Sequence, residues 1–98
     1  MAFVQVIELR TKNFDGIQAL EDEWLKATEG KRTLRKTIIT RDRKAPDRYL
    51  VFAFFDSYES AMENSNLPET DEFGRKQSAL LDAPMTFVNL DVIDERSF

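Results

Sequence analysis

The sequence predicts a single α+β domain spanning residues 1–98, with its elements in the order β-α-β-β-α-β. Three observations point there. Short runs of β-branched and aromatic residues stand at 3–9, 49–55 and 87–93. The stretches between them carry apolar residues three and four positions apart. A chain of 98 residues holds one core, and no internal repeat or low-complexity run interrupts the order.

Phe3 to Leu9 is apolar except at Gln5 and Glu8 and is short for a helix, so it reads as the first strand. Asn13 is placed to cap a helix whose residues Phe14, Ile17, Leu20, Trp24 and Ala27 share an apolar face, while Glu21, Asp22 and Lys26 point elsewhere. Gly30 supplies the stop. Arg32 to Lys44 places Thr33, Thr37, Ile38, Ile39 and Thr40 among charges, as suits an extended strand protected from unwanted pairing, and Ala45-Pro46-Asp47 turns the chain. Tyr49 to Phe55 is apolar throughout, as in a central strand covered on both faces. Asp56 and Glu59 have capping-box spacing and open a short helix with Tyr58, Ala61 and Met62 on its apolar side, ending near Asn64. After Asn66-Leu67-Pro68, Thr70 is expected to cap another helix that turns Phe73, Gln77, Leu80 and Leu81 inward and is closed by Pro84. Phe87 to Ile93 is the last strand.

This order is the ferredoxin-like arrangement, a four-stranded antiparallel sheet with its helices on one face. Leu50, Phe52 and Phe54 fall on one side of the third strand and Tyr49, Val51, Ala53 and Phe55 on the other, and helices cover only one set. The set left over would be an adhesive patch unless a second sheet packs on it. A homodimer through the open sheet face is therefore expected, disrupted by aspartate at Val51 or Ala53, whichever faces the partner.

The chain has no His and no Cys, which removes Cys and His nucleophiles, thiolate or imidazole zinc sites and the usual haem ligands. Fourteen Lys and Arg against eighteen Asp and Glu give a net charge of −4, which argues against nucleic acid and anionic membranes as partners. The first residues carry no basic leader, and their apolar run is interrupted at Gln5 and Glu8, so a cytoplasmic protein is expected. Arg48 to Phe55 partly mimics the third strand of an RNA-binding module but lacks its glycines. The densest carboxylate groups, Asp91, Asp94, Glu95 and Glu69, Asp71, Glu72, do not match a calcium loop, and neither a metal nor a cofactor is expected. Lys31 to Arg48 holds eight basic and two acidic residues, whereas Tyr49 to Gly74 holds six acidic and no basic ones. The simpler reading is a solvated strand whose charge an acidic helix or a partner balances, rather than an anion-binding strip.

Strand one, the Trp-bearing helix, the Tyr49 to Phe55 strand, the Asp56-Ser57-Tyr58-Glu59-Ser60-Ala61 helix start, the Asn64 to Phe73 break and the Pro84 to Val92 strand together resemble the antibiotic biosynthesis monooxygenase-like (ABM-like) proteins. The resemblance covers nearly the whole chain and implies a dimeric α+β barrel. It includes cofactor-independent quinol and anthrone monooxygenases and haem-degrading enzymes, so it specifies fold more than activity. Where many members carry a His near the helix break and another before a Phe, this chain has Asn64 and Glu72. The axial His that haem degradation would need is missing.

No catalytic residue is identified, but six residues are candidates for ligand binding. Asn64, Asn66 and Thr70 sit at the helix break that the resemblance associates with the cavity mouth, although Asn there also caps backbone. Trp24 offers an indole for stacking on a flat ligand or for the core, Gln5 an amide that needs a partner if inward, and Tyr58 a phenol at a rim. Three functions stay open: a homodimeric barrel that binds a flat apolar or phenolic molecule, a cofactor-independent monooxygenase acting on a quinol or anthrone with O2, and a structural or regulatory dimer whose own Phe side chains fill its cavity.

Overall fold

Phe3–Arg10 forms β1, which pairs along both edges and so anchors the sheet. The computed structural model describes residues 2–98; Met1, the first residue of the expected domain, lies outside the described residues. After β1 come α1 (Phe14–Ala27), β2 (Lys36–Arg41), β3 (Arg48–Phe55), α2 (Tyr58–Ser65), α3 (Pro68–Ser78) and β4 (Thr86–Asp91). All pairings are antiparallel in the order β2-β3-β1-β4, which is the α+β, ferredoxin-like fold expected, with its second helix broken in two.

Register decides which side chains meet. Gln5 stands opposite Ala53 and Asn89, and Val6 opposite Phe52 and Val88, so odd-numbered residues of all four strands share one face and even-numbered residues the other. The helices cover the odd face. Ile17 and Trp24 of α1 are buried there with Phe3, Leu9, Ala53, Phe55 and Ala61. The Phe14 ring stacks on Tyr49 with centroids 4.1 Å apart, fixing the start of α1 over β3. The Trp24 indole N–H donates to Thr70 Oγ1 at 2.9 Å, tying α1 to α3. Asn64 Oδ1 accepts the Thr33 N–H at 3.2 Å, tying α2 to the segment before β2.

The even face carries Val4, Val6, Ile38, Leu50, Phe52, Phe54, Val88 and Leu90 with no helix over it. Ile38, Val88 and Leu90 remain 42%, 52% and 44% exposed. Val51 and Ala53, the sequence-based choices for a partner-facing aspartate, instead face the helices; Ala53 clusters with Phe3, Phe55 and Ala61, its small side chain leaving room for α2.

Several helix ends differ from expectation. Ser57, not Asp56, caps α2 by accepting the Ser60 N–H, because Asp56 is engaged by Arg35 at 2.7 Å. Pro68 begins α3, so Thr70 lies inside its first turn and takes the Trp24 indole rather than capping. That helix ends at Ser78, which leaves Leu80 and Leu81 in the following turn. The last strand stops at Asp91, and Ile93 is 91% exposed. α1 ends at Ala27, where the Thr28 hydroxyl donates to the Trp24 carbonyl, and the left-handed Gly30 follows in the turn at φ 79°.

The basic and acidic blocks meet one another: Lys31 pairs with Glu69 and Arg35 with Asp56. On the even face Arg48 joins Glu8 and Asp42. The Arg48 guanidinium holds the Glu8 carboxyl below its usual range, and the Lys44 N–H and then Arg48 do the same for Asp42. This pairing accords with the simpler reading of the charge pattern.

Two glycines predict opposite stability changes. A Cβ at Gly30 meets no atom within 4 Å, but the positive φ penalises any side chain, so Gly30→Ala should cost about 1 kcal/mol. Gly74 is within α3 with equally open surroundings, so Gly74→Ala should gain up to about 1 kcal/mol. Urea unfolding of the two variants beside the parent checks both signs.

Candidate functional site

Between the odd face of the sheet and the three helices lies a cavity of about 230 Å³. Strand alternation builds one wall from Ile7, Leu9, Ile39, Val51 and Ala53, with Thr37 and Gln5 as polar members. α1 contributes Phe14, Ile17, Glu21 and Trp24 to the roof. The broken helix supplies Asn64, Ser65, Thr70, Phe73 and Gln77, while Met85 and Phe87 stand at the β4 side. Such a space, apolar with a few convergent polar groups, is the usual form of a small-molecule site.

Four of the six candidate residues come together here. Trp24 is only 6% exposed and is both core and cavity wall, with its N–H held by Thr70. Thr70 lines the cavity as the acceptor of that bond. Asn64 is 7% exposed and lines the cavity, with its Oδ1 taken by the Thr33 N–H. Gln5 lines it too, its Nε2 donating to Asn89 Oδ1 across the β1–β4 pair at 3.0 Å. The other two lie apart. Asn66 is an exposed cap whose backbone N–H bonds to the last carbonyls of α2. Tyr58 is 49% exposed and packs edge-on against Phe3, outside the cavity lining.

Glu21 is the residue that sequence reasoning turned the wrong way. The residues of α1 that line the cavity are Phe14, Ile17, Glu21 and Trp24, whereas Leu20 lines a groove against α3 and Ala27 is exposed. Leu20 and Glu21 both fit steps of three and four between Ile17 and Trp24, so spacing alone did not separate them and hydrophobicity favoured Leu20. Burial, and then the charge of Asp22, raise the Glu21 carboxyl above its ordinary value. Gln77 is also buried against the cavity, at 8% exposure.

Among the described residues no group of three or more His, Cys, Asp or Glu side chains is placed to hold a metal ion, and no helix is long and apolar enough to cross a membrane.

No family model matches the sequence, and no curated protein matches it either. Solved structures do match it along nearly the whole chain. Rv0793 from Mycobacterium tuberculosis is 16% identical, with 99% of this chain and 100% of that one covered at a TM-score of 0.78. A Caulobacter crescentus protein assigned by name to the antibiotic biosynthesis monooxygenases is 10% identical, with 95% and 91% covered at 0.80. SnoaB from Streptomyces nogalater, described as a cofactor-independent oxygenase, is 8% identical, with 96% and 95% covered at 0.79. At these identities the likeness is one of fold. The chain has the fold of the antibiotic biosynthesis monooxygenases.

Proposed function

We propose that this protein is a cytoplasmic homodimer that binds a flat apolar or phenolic molecule of one or two rings in the cavity between sheet and helices. The cavity itself carries the reading. An apolar space of about 150 Å³ admits benzene, so one of about 230 Å³ suits two fused rings. Phe14, Phe55, Phe73 and Phe87 line that space without filling it, which argues against a scaffold closed by its own side chains. Trp24 and Phe73, with ring centroids 6.0 Å apart, offer aromatic surface, and Asn64 and Glu21 offer polar contacts. Dimerisation draws its support from the uncovered apolar even face, which a second sheet would bury.

Oxidation of a quinol or anthrone by O2 without a cofactor is the second reading, favoured by a carboxylate inside the cavity and by the description of SnoaB. Such chemistry needs a base, orientation and a dry pocket, because the deprotonated substrate itself reduces oxygen. Oxygen uptake with a panel of quinols separates an enzyme from a binder.

Native mass spectrometry of the purified protein should show a dimer at micromolar concentration with one small aromatic molecule retained per subunit; an empty, folded monomer would overturn the proposal. Phe52→Asp, central on the even face between Val6 and Ile38, should dissociate the dimer or leave it insoluble, read by sedimentation equilibrium, because an unpaired charge is not buried there cheaply.

The helix break yields a separate expectation. Asn64→Ala should weaken 2-naphthol binding by about 1–2 kcal/mol and also lower stability by about 1 kcal/mol, since it removes the Thr33 bond as well. Asn66→Ala, at an exposed cap, should leave affinity unchanged. Equilibrium dialysis and thermal melts on both variants give the comparison.

A further inference from the structure

Glu21 is the one ionisable side chain among the residues lining the cavity. It projects from the inward stripe of α1, one turn before Trp24, so carboxylate and indole share a face. Among the described residues, neither a hydrogen bond nor a cation acts on it. By contrast Glu8, Asp42, Asp56 and Glu69 each have a basic partner. The residues facing the cavity from every strand and from α2 and α3 are uncharged. On α3, Glu72 and Lys76 line the neighbouring groove between the helices, where Lys76 meets Glu23. Asp22, on the same helix as Glu21, is the one charge that acts on it.

An unpartnered carboxylate turned into an apolar space costs free energy unless something there uses it. We propose that Glu21 is the proton acceptor of the cavity and selects ligands that present an acidic O–H, a phenol or hydroquinone, beside Trp24. This rests on the reading of the cavity as an aromatic-ligand site. In the complex the ligand O–H donates to a carboxylate oxygen of Glu21, which draws the proton toward itself and charge onto the ligand oxygen; no bond is broken outright and no other reactant is consumed. Burial helps, since a carboxylate that holds its proton more tightly is better matched to a weakly acidic phenol.

The test uses two probes of similar shape, 2-naphthol and 2-methylnaphthalene, in equilibrium dialysis with the parent protein, Glu21→Gln and Glu21→Leu. The parent should prefer 2-naphthol about tenfold at pH 8, and the preference should fade as acid protonates Glu21. In both variants the preference should shrink to about twofold and lose its pH dependence, while 2-methylnaphthalene still binds. An unchanged preference and pH profile in both variants would overturn the assignment to Glu21 and leave the cavity reading standing. Failure of both probes to bind the parent would overturn the cavity reading, and this assignment with it. Folding supplies a check on the carboxylate's burial without ligand. Because the folded state holds the Glu21 proton more tightly than the unfolded one, ionisation lowers stability as pH rises from the unfolded value to the folded one, and the loss is complete above it. Glu21→Gln should therefore raise the melting temperature at pH 8 and make no difference below about pH 4; no gain at pH 8 would contradict the burial that the proton-acceptor role requires.

Discussion

A sheet that is apolar on both faces but has helices on only one is the constraint from which the rest of this molecule follows. Strand alternation sends Phe3, Gln5, Ile7 and Leu9 toward the helices and Val4 and Val6 away from them. A single-residue slip would exchange the two sets, so the register of β1 against β3 and β4 decides at once what becomes core, what lines the cavity and what stays open. The broken second helix is part of the same solution. Pro68 turns the chain between α2 and α3, so that Asn64 and Thr70 reach the cavity from adjoining segments.

Several polar groups at this site hold the frame. Thr70 fixes the Trp24 indole, Asn64 fixes the segment leading to β2, and Gln5 is joined to Asn89 across the sheet. These bonds restrain beforehand the rotamers of side chains that line the cavity. Glu21 is the one charged member of the lining, and among the described residues it has no ion-pair partner, unlike the paired surface carboxylates.

Where side chains repeat with a plain period, the residues were readable in advance. The unbroken apolar run from Tyr49 to Phe55 marks β3 as a central strand, and the helical spacing of α1 places Trp24 on an inward face. What escaped depends on tertiary partners. Asp56 has the spacing of a cap, yet Arg35 claims it and Ser57 takes over; Thr70 has the chemistry of a cap, yet Pro68 starts the helix two residues earlier. Which set of β3 residues met the helices rested on the fit of Ala53 against Ala61, a matter of volume across elements. Glu21 escaped because Leu20 and Glu21 fit the helical spacing equally well and polarity favours sending the charged one to solvent.

The pairing of β1 with β4 also bears on how the chain reaches this state. Gln5 and Asn89 are 84 positions apart, and β4 bonds to β1 alone, with all six of its residues exposed. Closing so long a loop costs entropy before the pairing returns any stabilisation, which makes the last strand late to dock and quick to fray. Until it does, one edge of β1 presents unsatisfied N–H and C=O groups next to the apolar even face. Self-association during folding and assembly of the finished molecule would therefore draw on the same strand and the same face, separated only by whether β4 has arrived.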